Sequence, residues 1–327
     1  MKSRIVLGSR GSALARAQIQ LTQDALLAVH PGLEIEVKII TTSGDRRQEI
    51  KAGEGSAAGL KGLFTKEIQD ALLDKSIDAA VHSLKDLPGI TPPELDLAAV
   101  LPRADTADLL ISPVRRHNAA PEEDSSPSED FVLSLSALPP AARVGTGSVR
   151  RRRQLKWLRP GLEIVELRGN VPTRLEKLLT QSLDAIVLAR AGLDRLGCTF
   201  DGSILQAHAG FFHVAPLDIL PAIGQGAVGL EIRRDDDATR ELLSAIDHAP
   251  THTCVRVERE LLRLLDGDCR LPVAARATLD DSGTLHARAL VFRDDESLPP
   301  VQAQDKGPAS APAALGLSLF RQLSIKM

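Results

Sequence analysis

The feature that most constrains this chain is a recurring unit: a short apolar run, a turn built from glycine, serine and arginine, then a helix-patterned stretch. Residues 5–7 lead into Gly8-Ser9-Arg10-Gly11-Ser12 and a predicted helix to about Val29, with Leu14, Ala17 and Leu21 as its stripe. Residues 33–41 close on Thr42-Ser43-Gly44-Asp45-Arg46, and residues 77–81 end in His82-Ser83-Leu84-Lys85-Asp86-Leu87-Pro88. Residues 143–144 run into Gly145-Thr146-Gly147-Ser148 and a helix carrying Arg150, Arg151, Arg152 and Arg153. Residues 163–167 end in Arg168-Gly169-Asn170 with Arg174 just beyond, and residues 183–188 are followed by Arg190 and Arg195. Strands of this length alternating with helical patterns predict sheets covered by helices, an α/β fold. A chain of 327 residues has room for two or three such domains.

The same turns suggest chemistry. In open parallel sheets ligands bind beyond the carboxyl ends of strands. Helix N-termini and glycine turns offer N–H groups to anions there. Arginine adds forked donors that match carboxylates. The predicted ligand is a polyanion with several carboxylates. Taken alone, the four consecutive arginines read first as a solvated helix face, next as part of a polyanion site and last as a nucleic-acid patch. A helix turning about 100° per residue can aim no more than two of them at one site. The net charge of −3, the single Trp, the seven Phe and the lack of Tyr weigh against nucleic acid. Lys85 and Asp86 read either as a surface ion pair in a turn or as groups for acid–base work.

Between these units, the Gly/Ala-rich residues 51–62 suit a lid or a plain connection. Residues 117–140, with PEEDSSPSED, predict a polar surface insertion. The glycine-punctuated residues 220–232 predict a hinge running into a strand. From Thr251 onward the pattern changes. Val257, Leu261, Leu264 and Leu265 mark a helix ending near Gly267, and residues 273–279 and 284–292 form a hairpin around Asp281-Ser282-Gly283. From residue 299 the chain is Pro- and Ala-rich before a short apolar end at 315–325. Three cysteines, Cys198, Cys254 and Cys269, make no disulfide framework and suit a reducing compartment. No apolar run is long enough for a signal or a membrane span, so a cytoplasmic protein without membrane partners is expected.

In order along the chain stand GSRGSALARAQ, TTSGDR, KGLFTKE, AAVHSLKDLP, VGTGSVRRRRQL, LRGNVPTRL, AIVLARAGLDRLG, LPAIGQGAVGLE and DGDCRLPVAARA. Together they resemble the porphobilinogen deaminase (hydroxymethylbilane synthase) family over nearly the whole length. The resemblance implies two doubly wound, periplasmic-binding-protein-like α/β domains and a small α+β C-terminal domain. These are residues 1–103 with 225–246, residues 104–224 including the insertion, and residues 247–327. It implies a transferase of tetrapyrrole biosynthesis that joins four porphobilinogen molecules head to tail into hydroxymethylbilane and releases ammonia. It implies a dipyrromethane cofactor held by a thioether at Cys269, and a catalytic carboxylate at Asp86, expected to be buried. The binding groups it implies are Arg10, Ser12, Lys61, Phe64, Ser83, Lys85, Thr146, Ser148, Arg150, Arg151, Arg168, Arg174 and Arg195, with a lid over residues 46–63. The family is usually monomeric, and no nucleic-acid partner is expected. The sequence departs from the family pattern at Leu60 in the lid, at Asp268 and Arg270 beside the cysteine, in the insertion and at the short C-terminal end. A two-lobed anion receptor is the alternative reading from the residues alone.

Overall fold

The computed structural model describes residues 2–42, 65–114, 133–207, 209–266 and 272–325. In chain order its elements are β1 (Arg4–Ser9), α1 (Ala13–Val29), β2 (Glu34–Ile39), α2 (Lys66–Leu73), β3 (Ala79–Ser83), a 3₁₀ turn (Leu84–Asp86), β4 (Leu95–Val100) and β5 (Asp108–Pro113). Then come β6 (Arg143–Gly145), α3 (Val149–Leu158), β7 (Glu163–Val165), α4 (Val171–Thr180), β8 (Ala185–Ala189), α5 (Arg190–Arg195), β9 (Thr199–Asp201), β10 (Ile204–Ala207) and β11 (Gly210–Leu217). The last are β12 (Val228–Arg233), α6 (Asp237–Ser244), α7 (Ala249–Asp266), β13 (Val273–Leu279), β14 (Thr284–Val291), β15 (Val301–Pro308) and α8 (Pro312–Ser324). The chain divides into two compact units, Met1–Asp105 with Leu220–Met327, and Thr106–Ile219.

The first unit holds a five-stranded sheet in the order β2-β1-β3-β12-β4. Strands β1, β2 and β3 are parallel, and β12 returns antiparallel between β3 and β4. Ile5, Leu7, Val81 and Leu230 pack on Ile19, Leu26 and Leu242 over one face of this sheet. Ile77, Ala80 and Leu95 pack on Ile68 and Leu72 over the other. The α1 stripe is displaced from the expected one: Ala15, Gln18, Ile19, Thr22 and Leu26 are buried, whereas Leu21 is 43% exposed. The inward face is the one whose polar residues find partners. Gln18 Nε2 donates to Ser83 Oγ at 2.7 Å, and Thr22 Oγ1 donates to the Gln18 carbonyl at 2.9 Å.

In the same unit, β13, β14 and β15 form a three-stranded antiparallel sheet covering α7 and α8. Its core is Val257, Leu261, Leu285, Val291, Leu315, Leu319 and Leu323. The expected hairpin forms, with Leu279 opposite Leu285. The Pro- and Ala-rich tail from residue 299 supplies β15 and α8. Val301 and Ala303 point inward between exposed Gln302 and Gln304, a period-two pattern too polar to read as a strand. Pro312 opens α8 where a missing N–H costs nothing.

The second unit is one seven-stranded sheet, β7-β6-β8-β5-β11-β10-β9. Only β6, β7 and β8 are parallel; β5, β11, β10 and β9 extend the sheet antiparallel, so it is mixed rather than parallel. Leu110, Val144, Ala185 and Val187 pack on one face, and Leu109, Ile111, Ile186 and Leu188 on the other. This is the doubly covered form expected of α/β domains. The predicted surface insertion needs correction at its end. Leu133 and Leu138 are core residues, and the guanidinium of Arg159 donates to the carbonyls of Leu135, Leu138 and Pro139. Residues 115–132 lie outside the described residues.

Candidate active site

In the second unit, β6, β7 and β8 run parallel, so their carboxyl ends share one sheet edge. Each end turns into a helix start. After β6, the buried Thr146 accepts the Ser148 N–H through Oγ1 at 3.2 Å. Ser148 then caps α3 by accepting the Arg151 N–H at 3.4 Å. After β7, Asn170 Oδ1 caps α4 through the Thr173 N–H at 2.9 Å. Arg168 is exposed and bonds Glu166, and Arg174 Nε donates to the Gly169 carbonyl at 2.8 Å. After β8, α5 carries Arg190, which lies 4.7 Å over the Phe200 ring, and Arg195, whose guanidinium burial pulls down in pKa against the opposing Asp194 charge.

Of the four consecutive arginines, Arg152 alone is exposed; Arg150, Arg151 and Arg153 are buried. Arg150 and Arg151 meet at Asp108, the first residue of β5. Arg150 Nη2 reaches Asp108 Oδ2 at 2.7 Å. Arg151 reaches Oδ1 through Nη2 at 2.7 Å and Nε at 3.1 Å, and bonds the Val187 carbonyl at 2.9 Å. Because β5 is antiparallel to β8, with Asp108 opposite Ala189, its start lies at this same edge. Two guanidinium groups thus seat one fully buried carboxylate, and within the trio the charge is +1. Burial brings Arg150 down to about 10, with Asp108 opposing the shift. Asp108 itself goes unnoticed in a reading that looks for basic residues; its signal is a lone acid opening the apolar run Leu109-Leu110-Ile111.

In the first unit the carboxyl ends of β1 and β3 also share an edge. After β1 come Arg10, half-buried, and Ser12, which caps α1 by accepting the Ala15 N–H at 3.2 Å. After β3, Ser83 is held by Gln18, and the 3₁₀ turn presents Lys85 and Asp86. Asp86 was expected to be buried and is exposed, because the turn projects past the end of the strand. The turn rests on two glycines. A Cβ on Gly224, at φ +70°, would lie 2.9 Å from Leu84 Cβ and 3.1 Å from the Lys85 nitrogen, and one on Gly229 would lie 2.4 Å from Leu84 Cδ2. Lys61, Phe64, the lid and Cys269 lie outside the described residues. Cys198 and Cys254 have the character of inert thiols, since burial raises both.

The arrangement can bind carboxylates at one edge and offer a carboxylate beside an ammonium at the other. Comparisons with known proteins bear on which reaction uses them. Residues 5–241 match the family model described as porphobilinogen deaminase, dipyromethane cofactor binding domain, and residues 252–324 match that of the porphobilinogen deaminase C-terminal domain. A porphobilinogen deaminase of Moorella thermoacetica is 42% identical over 98% of this chain and 92% of its own. One from Roseiflexus sp. is 41% identical over 99% and 96%. Among solved structures, the periplasmic VFT2 domain of BvgS from Bordetella pertussis matches 74% of this chain and 85% of its own, at 13% identity and a TM-score of 0.40. An ancestral arginine-binding protein matches 75% and 91%, at 15% identity and a TM-score of 0.36.

Proposed function

The chain belongs to the porphobilinogen deaminase family, and from that premise we propose how its residues divide the reaction. It is a transferase of tetrapyrrole biosynthesis, joining four porphobilinogen molecules head to tail into linear hydroxymethylbilane. At each addition the aminomethyl carbon–nitrogen bond breaks and a carbon–carbon bond forms to the free α-position of the preceding ring. That position loses a proton, so nitrogen and proton depart together as ammonium. A dipyrromethane cofactor supplies the first free pyrrole position, and Cys269 is its thioether attachment in this reading.

The observation that carries the binding half is the gathering of Thr146, Ser148, Arg150, Arg151, Arg168, Arg174 and Arg195 at one sheet edge. Every pyrrole unit brings an acetate and a propionate, and forked guanidinium donors both offset that charge and set ring positions. Arg150 and Arg151 each place donors on Asp108, and the net +1 charge of the trio supports a role in offsetting the carboxylates of cofactor and growing chain. Arg10 and Ser12 extend the same chemistry in the first unit, with Lys61 and Phe64 as further binding groups. Asp86 stabilises positive charge developing at pyrrole nitrogens and takes up or returns protons, with Lys85 and Ser83 beside it. Its exposed place on a turn lets it meet successive rings. The domains in this reading are residues 1–103 with 225–246, residues 104–224 and residues 247–327. The protein acts as a cytoplasmic monomer, to be checked by sedimentation and cell fractionation; no described helix is long and apolar enough to cross a membrane.

Intact-protein mass spectrometry tests the assignment. The purified protein should carry an added dipyrromethane mass, and Cys269→Ser should lack both adduct and activity. Asp86→Asn should keep the adduct while turnover falls by about 100-fold or more, because the geometry survives and the charge does not. A fully active, unmodified Cys269→Ser protein, or undiminished turnover in Asp86→Asn, would remove the corresponding residue from its role.

A further inference from the structure

Behind the strand that delivers Asp86 lies a buried polar cluster that the reaction as described does not use. Glu231 of β12 is 1% exposed, His82 of β3 is 5% and Gln69 of α2 is 8%. His82 Nε2 stands 3.1 Å from Glu231 Oε2, and Gln69 Nε2 donates to Oε1 at 3.1 Å and to Oε2 at 3.3 Å. Among the described residues no lysine or arginine pairs with Glu231. Two consecutive elements and a strand 149 residues beyond His82 thus spend an amide, an imidazole and a carboxylate beside the apolar Ile68, Leu72, Ile77, Ala80 and Leu95.

Stability is a poor reason for such a cluster. Taking an ionisable pair out of water costs as much as its attraction returns, and apolar residues of similar volume serve as well or better. A fully satisfied buried network does something else: it admits one arrangement and excludes its neighbours. The cluster's place in the fold says what is being held. His82 is the penultimate residue of β3, and the chain goes directly on through Ser83 to Leu84, Lys85 and Asp86. Side chains alternate across a strand, so His82 is tied on one face and Ser83, bonded to Gln18, on the other. At the edges, β12 pairs Gly229 with His82 and Val228 with Ser83, and the Leu84 N–H donates to the Ala227 carbonyl at 3.1 Å. Where β12 meets β4 the register slips between Leu230 and Glu231, an irregularity of the sort that re-aims a side chain.

We propose that Glu231, with His82 and Gln69, is a positioning residue of the reaction: it fixes the end of β3 and through it the place of the Asp86 carboxylate. The proposal rests on the assignment of Asp86 to turnover. Its test compares wild type, Glu231→Ala, Glu231→Gln, Gln69→Met and Asp86→Asn. For each, kcat and KM for porphobilinogen are measured per folded molecule bearing the cofactor mass, beside the thermal unfolding curve. Glu231→Ala should lower kcat by about tenfold or more, since displacing a reacting group by an ångström is enough to do so. KM should stay within about threefold of wild type. Glu231→Gln, which keeps an acceptor for Gln69 and a partner for His82, should recover most of the loss. A purely structural cluster would change the folded fraction and leave kcat per folded molecule alone. Wild-type kcat in Glu231→Ala overturns the proposal, as does a loss in Glu231→Gln as large as in the alanine variant. Should the alanine variant not fold, Gln69→Met decides: it removes one arm of the network and should still lower kcat, and wild-type kcat there is equally fatal. Undiminished turnover in Asp86→Asn would defeat the underlying assignment. Lost turnover there, with kcat intact in the cluster variants, would defeat the positioning role alone.

Discussion

At Asp108 a single fully buried carboxylate accepts from two guanidinium groups that are themselves only 6% exposed. Removing one partner of a buried charge cluster costs far more than the cluster contributes net, because the remaining charges stay buried. Asp108→Asn should therefore destabilise the protein by about 3–5 kcal/mol, read as a lower urea midpoint. It should also lower the fraction of protein that acquires the cofactor mass, because Arg150 and Arg151 lose the group that orients them. A midpoint unchanged from wild type would mean that the arginines have another counter-charge as good. The arginines were legible in the sequence, since guanidinium groups past strand ends have a recognisable spacing. Asp108 was not, because what makes it functional is a bond to residues 42 and 43 positions away.

At the scale of elements, the strand–turn–helix unit proves to be a capping device. Ser12, Ser148 and Asn170 each end a strand turn and satisfy the first N–H groups of the helix that follows. The turn bearing Asp86 has no such cap; it is a single 3₁₀ turn seated on Gly224 and Gly229. Gly224→Ala forces an L-residue into a left-handed conformation at a cost of about 1–2 kcal/mol, and pushes its Cβ into Leu84. Turnover should fall well beyond what that loss of stability explains, with the cofactor mass retained. Equal kcat for Gly224→Ala and wild type would show that the turn tolerates displacement. Elements with strong periodicity or clear turns were legible in advance. The strands β9, β10 and β15 were not, because short or polar strands depend on neighbours for their stability.

At the scale of the whole molecule, one buried carboxylate joins separate layers of the first unit. Glu258 of α7, 1% exposed, receives Arg103 in a bidentate pair at 2.7 and 3.0 Å. It also accepts the Gly224 N–H at 2.8 Å and the Ala277 N–H at 2.9 Å. Strand β13, the glycine loop under the Asp86 turn and the segment after β4 thus meet at a single side chain. Glu258→Ala should cost about 3–5 kcal/mol in chemical denaturation, and Glu258→Gln less, because one oxygen still accepts. Equal midpoints for Glu258→Ala and wild type would show that these layers hold together without it.

By itself the sequence determined the α/β class, the basic residues past the strand ends of the second unit and the family, since all of these are written in residues close together along the chain. The tertiary structure alone decided which face of α1 turns inward, that the five- and seven-stranded sheets are mixed, that Asp86 stands exposed, and which acids answer the buried cations and amides. Asp108, Glu231 and Glu258 find partners 42, 149 and 155 residues away. No local pattern encodes such a pairing; it exists only once packing has removed water from both groups and left each the other's best remaining partner.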